Sequence, residues 1–359
     1  MTAARRLATG LAIVGTIWTL LHLYVGRHLT VGLSGGARAL AWAAVLAVAA
    51  APFVAFAAAR RGWVPLRAAV DWAGFTAMGL SSLLIVFFVV MDVLRLPVPP
   101  PLTVLGLAGL VTAVGAWQAR RPRVVRVSVP ITDLPPDLEG FRIVQISDLH
   151  VGPTLKRRFV ERVVATANAL DPDVVAVTGD VADGFVSDLR DEVAPLSGLE
   201  APHGKFFVTG NHEYYWDAPG WTGEVERLGL AVLNHAYRVV ERGAARLLVA
   251  GVPDLSVPSD PAAALRGAPQ SDVRVLLAHQ PKSAFAARAA GFDLQLSGHT
   301  HGGQYFPFNL LVRLFQPFVA GLHRLEAMWL YVSRGTGYWG PPLRLGAPSE
   351  ITLIELARA

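Results

Sequence analysis

The sequence has no cysteine among its 359 residues. That excludes disulfides and any thiolate-bound metal, so a metal here must be held by nitrogen and oxygen ligands. Charge is also scarce: 16% of residues are charged against 53% hydrophobic, a balance too apolar for an ordinary soluble enzyme. Part of the chain is therefore expected in lipid. No basic run interleaved with aromatics appears, so the formal charge of +5 is not read as a nucleic-acid footprint. The arginines instead cluster beside apolar segments, at Arg5, Arg6, Arg60, Arg61, Arg67, Arg120, Arg121 and Arg123, where membrane topology accounts for them.

The apolar excess is confined to residues 1–120, and composition changes near Gln118 to Arg123. Two domains follow: a transmembrane region over 1–120 with about four helices, and a globular domain over 121–359. The candidate spans are Leu7 to Val25, Ala39 to Ala59, Trp72 to Leu94 and the shorter Leu102 to Trp117. Charge enters them only near their ends, at Arg38 and Asp92, which argues against an ion pathway. Arginines at the N-terminus, in the loop from Arg60 to Arg67 and after Trp117 belong on the cytoplasmic side. Four crossings then put the globular domain in the cytoplasm of a cell-membrane protein, whereas three or five would put it outside. A cleaved signal peptide competes for the first segment, weakened by the three apolar segments behind it and the lack of an A-x-A site.

In the globular domain, short β-branched runs end in polar residues: Phe141 to Ile146, Val174 to Val177, Lys205 to Val208, Val273 to Leu277 and Leu294 to Leu296. Between the first two, Phe159, Val163, Val164, Ala167 and Leu170 keep helical spacing, which makes a β-α-β unit. Later strands, Arg246 to Ala250, Trp329 to Ser333 and Ile351 to Leu356, lack convincing helices between some of them, so a layered α/β sandwich is expected rather than one doubly wound sheet. Pro130, Pro135 and Pro136 read as a leading loop, and Pro341, Pro342 and Pro348 as another near the end.

Each of the five buried runs ends in residues of metal-ligand type: Asp148-Leu149-His150, Gly179-Asp180 with Asp183, Gly210-Asn211-His212-Glu213, Ala278-His279, and Gly298-His299-Thr300-His301. Open α/β sheets place sites outside the carboxyl ends of their strands, so tips far apart in sequence can converge. On an extended segment Asp148 and His150 would point the same way. Carboxylate and imidazole suit divalent first-row metals, and Asp180 is the natural bridge between two of them. Glycine before Asp180, Asn211 and His299 would let the backbone turn sharply and bring the side chain close to the metals. Each motif is weak alone; the ordered set is not.

The ordered set resembles the calcineurin-like metallophosphoesterase superfamily, whose blocks are Asp-x-His, Gly-Asp-x-x-Asp, Gly-Asn-His-Asp/Glu, His and Gly-His-x-His. The flanking stretches Arg142 to Gly152 and Gly298 to Gln304 resemble its membrane-associated branch of bacterial phosphodiesterases and transmembrane metallophosphoesterases. The resemblance implies a four-layer α/β sandwich behind an all-α transmembrane bundle. It implies two divalent metal ions drawn from Mn, Fe, Zn, Mg or Co, one held by Asp148, His150, Asp180 and His301, the other by Asp180, Asn211, His279 and His299. His212 would be the nonligand catalytic histidine, oriented by Asp183, and a hydroxide bridging the metals the nucleophile.

Serine/threonine phosphatases of the superfamily carry arginines beside the second and third motifs, where this chain has Gly184 and Tyr214-Tyr215-Trp216. That favours a phosphodiester or pyrophosphate, with a protein or small-molecule phosphomonoesterase as the alternative, although Arg334 or Arg344 could reach the site. A lipid-linked substrate, in the manner of a UDP-diacylglucosamine pyrophosphatase, rests on location near a bilayer and on analogy. A noncatalytic membrane scaffold would show degraded ligands, and a transporter would show intramembrane charges or broken helices. Tyr214, Tyr215 and Trp216 are candidates to line the cleft. The apolar run from Tyr305 to Leu322 is either an amphipathic element against membrane or lipid substrate, or a buried helix or subunit contact. His22, His28, His203, His235 and His323 fall outside the motifs.

Overall fold

The computed structural model describes residues 3–61 and 67–359. The loop read from Arg60 to Arg67 falls largely on residues outside that range, as do the side chains of Arg5, Arg6, Arg60 and Arg61. The chain divides into two compact units, one of residues 1–117 with 340–343, the other of residues 118–339 with 344–359.

The first unit is helical: α1 (Ala3–Leu29), α2 (Gly35–Arg61), α3 (Arg67–Val93) and α4 (Pro101–Ala119). Among the described residues, Gly35–Ala58, Arg67–Val93 and Pro101–Ala119 are long and apolar enough to cross a membrane, and α1 is itself 27 residues long. Val25, Leu29, Val45, Leu84, Phe88 and Val104 pack together at its centre. His22 is buried there with Nε2 2.9 Å from Ser81 Oγ, and Asp92 accepts from Tyr24 Oη at 2.6 Å.

The second unit is a mixed α/β sandwich. Its strands are β1 (Arg123–Ile131), β2 (Arg142–Ile146), β3 (Val174–Val177), β4 (Lys205–Phe207), β5 (Ala231–Val232) and β6 (Ala236–Arg242), then β7 (Ala245–Gly251), β8 (Val273–Leu277), β9 (Leu294–Ser297), β10 (Gly321–Leu325), β11 (Met328–Val332) and β12 (Glu350–Arg358). Two six-stranded sheets result, ordered β1-β12-β2-β3-β4-β5 and β10-β11-β9-β8-β7-β6. Helices α5 (Arg157–Asn168), α6 (Val186–Val193), α7 (Asn211–Trp216), α8 (Ala218–Arg227), α9 (Ala284–Ala289) and α10 (Phe308–Leu311) complete it.

The pleat builds four layers, because alternate residues of one strand face opposite ways. Ile143 of β2 enters a core with Leu247, Val275 and Leu296 of the other sheet, whereas Val144 and Ile146 pack on Phe159 and Val163 of α5 and on Trp221 of α8. On the far side, Leu248 and Leu276 meet Ala284 and Ala287 of α9. The order is helices, sheet, sheet, helices. The connection β2-α5-β3 is parallel, as are β3-β4, β7-β8 and β8-β9, so the motif-bearing ends of each sheet point one way.

Sequence patterning overlooked β1, β5, β6 and β10. Pro130, expected in a loop, lies inside β1, whose pairing is with β12 alone. An edge strand tolerates proline because one side of it needs no ladder donor.

Candidate metal centre

The loops that leave β2, β3, β4, β8 and β9 meet at one end of the two sheets. Asp148, His150 and His301 have ligand atoms within 4.8 Å of one another, as do Asp180, His279 and His299, and also His150, Asp180 and His212. Asp180 is common to two of these groups. Asn211 joins through its Oδ1, 2.9 Å from His299 Nδ1 and 3.2 Å from His279 Nε2. All nine residues singled out from the sequence, His212 and Asp183 included, fall in this one cluster.

The convergence does not come from extended backbone. Asp148 and His150 have φ of 54° and 48°, so their side chains meet through left-handed turns and not through the period-two alternation expected of them. Asp180, His299 and His301 are also left-handed, at 55°, 70° and 52°. L-residues rarely occupy that region, and such strain gathers at functional sites. The glycines need a matching correction. Gly179 does take a positive φ of 89°, but Gly210 sits at −98° and is required for closeness: a Cβ there would lie 2.1 Å from Asp180 Oδ1. Gly298 likewise admits Asp148 Oδ2, 2.2 Å from where its Cβ would stand.

Side chains behind the cluster aim the ligands. His150 Nδ1 lies 3.1 Å from Asp183 Oδ1, and His279 Nδ1 lies 2.8 Å from the Thr178 carbonyl, which turns each Nε2 toward the centre. Asp148 accepts from the His299 amide at 2.9 Å, and Asp180 from the His212 amide at 2.8 Å. Glu213, to which sequence reasoning gave no role, is buried and accepts the amides of Asp180, Val181 and Gly210 at 3.0, 2.8 and 2.6 Å. One carboxylate thus ties the second motif to the third. Burial and then Asp180 push its pKa up to about 7.

Arg344 is another residue whose place differs from expectation. It is fully buried and donates to the carbonyls of Gly337, His301 and Arg334, with Nη2 3.0 Å from His301 Nδ1. It therefore buttresses a site histidine and is not free to grip substrate; burial and then its charge hold the His301 pKa well below the usual value. Arg334 is paired with buried Glu350 at 2.9 Å.

The donor chemistry fits divalent cations. His150 Nε2 and His301 Nε2 face each other at 3.0 Å, and His279 Nε2 and His299 Nδ1 at 3.3 Å, with two buried carboxylates between them. Nitrogen lone pairs and carboxylates crowded together away from water call for positive charge. Asp180 is held well below the usual carboxylate range despite its burial, chiefly by His279, and the His279 ring is raised in return.

His212 is set apart by its partner. Asp183 Oδ1 lies 2.5 Å from its Nδ1, and although burial opposes it, Asp183 raises the His212 pKa to about 9. Exposed Tyr215 and Trp339 flank the ring, with centroids 5.0 and 5.7 Å away. Gln304 holds Trp339 by two backbone hydrogen bonds, at 2.9 and 3.0 Å. Of the other cleft candidates, Tyr214 bonds Thr209 at 3.2 Å and Trp216 packs edge-on against Phe185.

The family model for calcineurin-like phosphoesterases matches residues 141–303. An uncharacterized metallophosphoesterase of Aquifex aeolicus (strain VF5) is 31% identical over 243 residues, which cover 65% of this chain and 91% of that protein. The chain belongs to the calcineurin-like metallophosphoesterases. Proteins named transmembrane protein with metallophosphoesterase domain are also similar: that of Danio rerio is 40% identical over 271 residues, 71% of this chain and 61% of its own, and that of Bos taurus 41% over 275 residues, 72% and 61%. The chain thus spans about three fifths of the length of these two relatives. Metallophosphoesterases use divalent metals, and the Asp and His groups described above could hold them.

Proposed function

We propose that the chain is a membrane-anchored, metal-dependent phosphoesterase acting on a phosphodiester or pyrophosphate, with residues 1–120 as the anchor and 121–359 as the catalytic domain on the cytoplasmic side of the cell membrane. The observation that carries the reading is the meeting of five strand-end motifs around Asp180, with the Asp183–His212 pair beside them. Asp148, His150, Asp180 and His301 would hold one divalent ion, and Asp180, Asn211, His279 and His299 a second. Ions held there would polarise the phosphoryl group and lower the pKa of water.

The chain's own residues do the rest. Asp183 keeps His212 protonated and fixes its ring, so that Nε2 can give a proton to the departing oxygen. Glu213 and Arg344 hold the left-handed loops in place from behind. The commitment of Arg334 to Glu350 and of Arg344 to backbone carbonyls supports a substrate with one negative charge at phosphorus over a dianionic monoester. Exposed Tyr215 and Trp339 beside the proton donor suit a carbon-rich leaving group, in keeping with a lipid-linked substrate.

The test is to purify the intact chain in detergent, measure its metal content, and assay a diester, a monoester and a lipid pyrophosphate side by side. The diester or the pyrophosphate is expected to turn over fastest. Faster turnover of the monoester would refute the substrate class, and none by a metal-loaded protein would point to the scaffold.

A further inference from the structure

The segment after His301 exposes apolar side chains where a water-facing surface would bury them. Helix α10 covers Phe308–Leu311, and a 3-10 turn over Val312–Leu314 follows. Leu314 and Phe315 are 75% and 73% exposed and Leu310 is 57% exposed; Phe306, Phe308 and Leu311 are open as well. Of the alternatives for this run, the buried helix is not what forms, although Phe318 does turn inward against Phe285 and His323. Exposed apolar side chains gathered on one short segment in this way mark an interaction surface.

Packing and charge say more about what covers it. A Cβ on Gly303 would lie 2.3 Å from Asn309 Cα, so α10 rests directly on the loop that carries His299 and His301. Between Asp293 and Glu326 the sequence contains no carboxylate side chain, while Arg313 stands exposed within the patch and Arg324 beyond it. Large apolar groups around an exposed cation, in a stretch of chain without carboxylates, complement the headgroup layer of an anionic bilayer. A second copy would instead bring one Arg313 against another.

We propose that residues 306–315 dock into the interfacial layer of the bilayer and present the strand-end site to phosphoesters at the membrane surface. The proposal rests on the membrane-anchored reading above. Because the chain has no cysteine, single labels are available without background. The intact chain, reconstituted in vesicles of mixed neutral and anionic phospholipid, carries an environment-sensitive fluorophore at Leu314→Cys or, as an independent second position, Leu310→Cys. Leu107→Cys in α4 and Glu161→Cys in α5 serve as references.

Quenching by lipid-attached nitroxides is expected to be at least roughly twofold stronger at 314 and 310 than at 161, and to weaken when anionic lipid is left out. Equal quenching at 314, 310 and 161, with 107 strongly quenched, overturns the docking and leaves the anchor standing. No quenching at 107 overturns the anchor and the docking together. Self-quenching at 314 that disappears on dilution with unlabelled protein, with no effect of lipid nitroxides, assigns the patch to a second copy and also overturns the proposal.

Discussion

The helical unit and the α/β unit both pack apolar side chains inside but differ in how much apolar surface they leave exposed. In the helical unit Leu40, Val93 and Leu102 face outward, while His22, Ser81 and Thr112 are inside. In the α/β unit Ile143, Val175 and Leu276 are fully buried, and most of its buried charged groups crowd at one end of the sheets. The difference is the one the proposed membrane anchor requires: a helix satisfies its own backbone and can show apolar side chains to lipid, whereas a sheet sandwich in water must hide them. The run from Phe306 to Phe315 belongs to the second unit but follows the rule of the first.

Substitutions can break or sharpen that contrast. The largest effect is expected where the α/β unit concentrates charge: His212→Ala should lower kcat by about 10²- to 10⁴-fold, measured on whichever phosphoester the intact chain turns over. Next comes the apolar interior of the same unit. Trp221 is fully buried and its Nε1 donates to the Gly184 carbonyl at 3.0 Å, so Trp221→Ala should cost about 3–5 kcal/mol, read as a fall in the melting temperature of the α/β unit.

A smaller effect belongs to a buried carboxylate held by exposed arginines. Glu224 is bonded by Arg227 and Arg190, and the Arg227 bond above all lowers its pKa in the folded state. Stability from a depressed carboxylate is complete above the unfolded pKa and disappears as pH falls through the folded one. Glu224→Gln should therefore destabilise the α/β unit at neutral pH by less than about 1 kcal/mol, read as a small fall in melting temperature, with the difference vanishing in acid. The smallest effect is expected on the outward face of the helical unit: Leu102→Ala should change stability by no more than about 0.5 kcal/mol. A cost there as large as that of Trp221→Ala would mean that this face is packed and not turned to lipid.

Much of the arrangement was legible from residue order alone, for identifiable reasons. Strands buried on both faces, such as Val174–Val177, announce themselves as unbroken β-branched runs, and the motif residues directly follow them. The four sheet-edge strands did not: β1 alternates exposed residues with half-buried and buried ones and holds Pro130, and β10 is never fully buried. At the centre, residue types revealed what could bind a metal but not how the backbone delivers it. The left-handed turns at Asp148 and His150 are properties of φ that no spacing encodes. Glu213 stood within a motif and Arg344 outside all of them, yet both act from behind the ligands, through amides and carbonyls whose positions exist only once the loops have folded. Trp339 reaches His212 from a distant loop for the same reason.

The account turns on Asp180 as the carboxylate shared by both halves of the centre. The most direct test is the metal content of purified Asp180→Asn beside that of His212→Ala and the unaltered chain. Asp180→Asn is predicted to lose metal and turnover together, and His212→Ala to lose turnover while keeping its metal. Asp180→Asn that retains its metal and full activity would contradict the assignment.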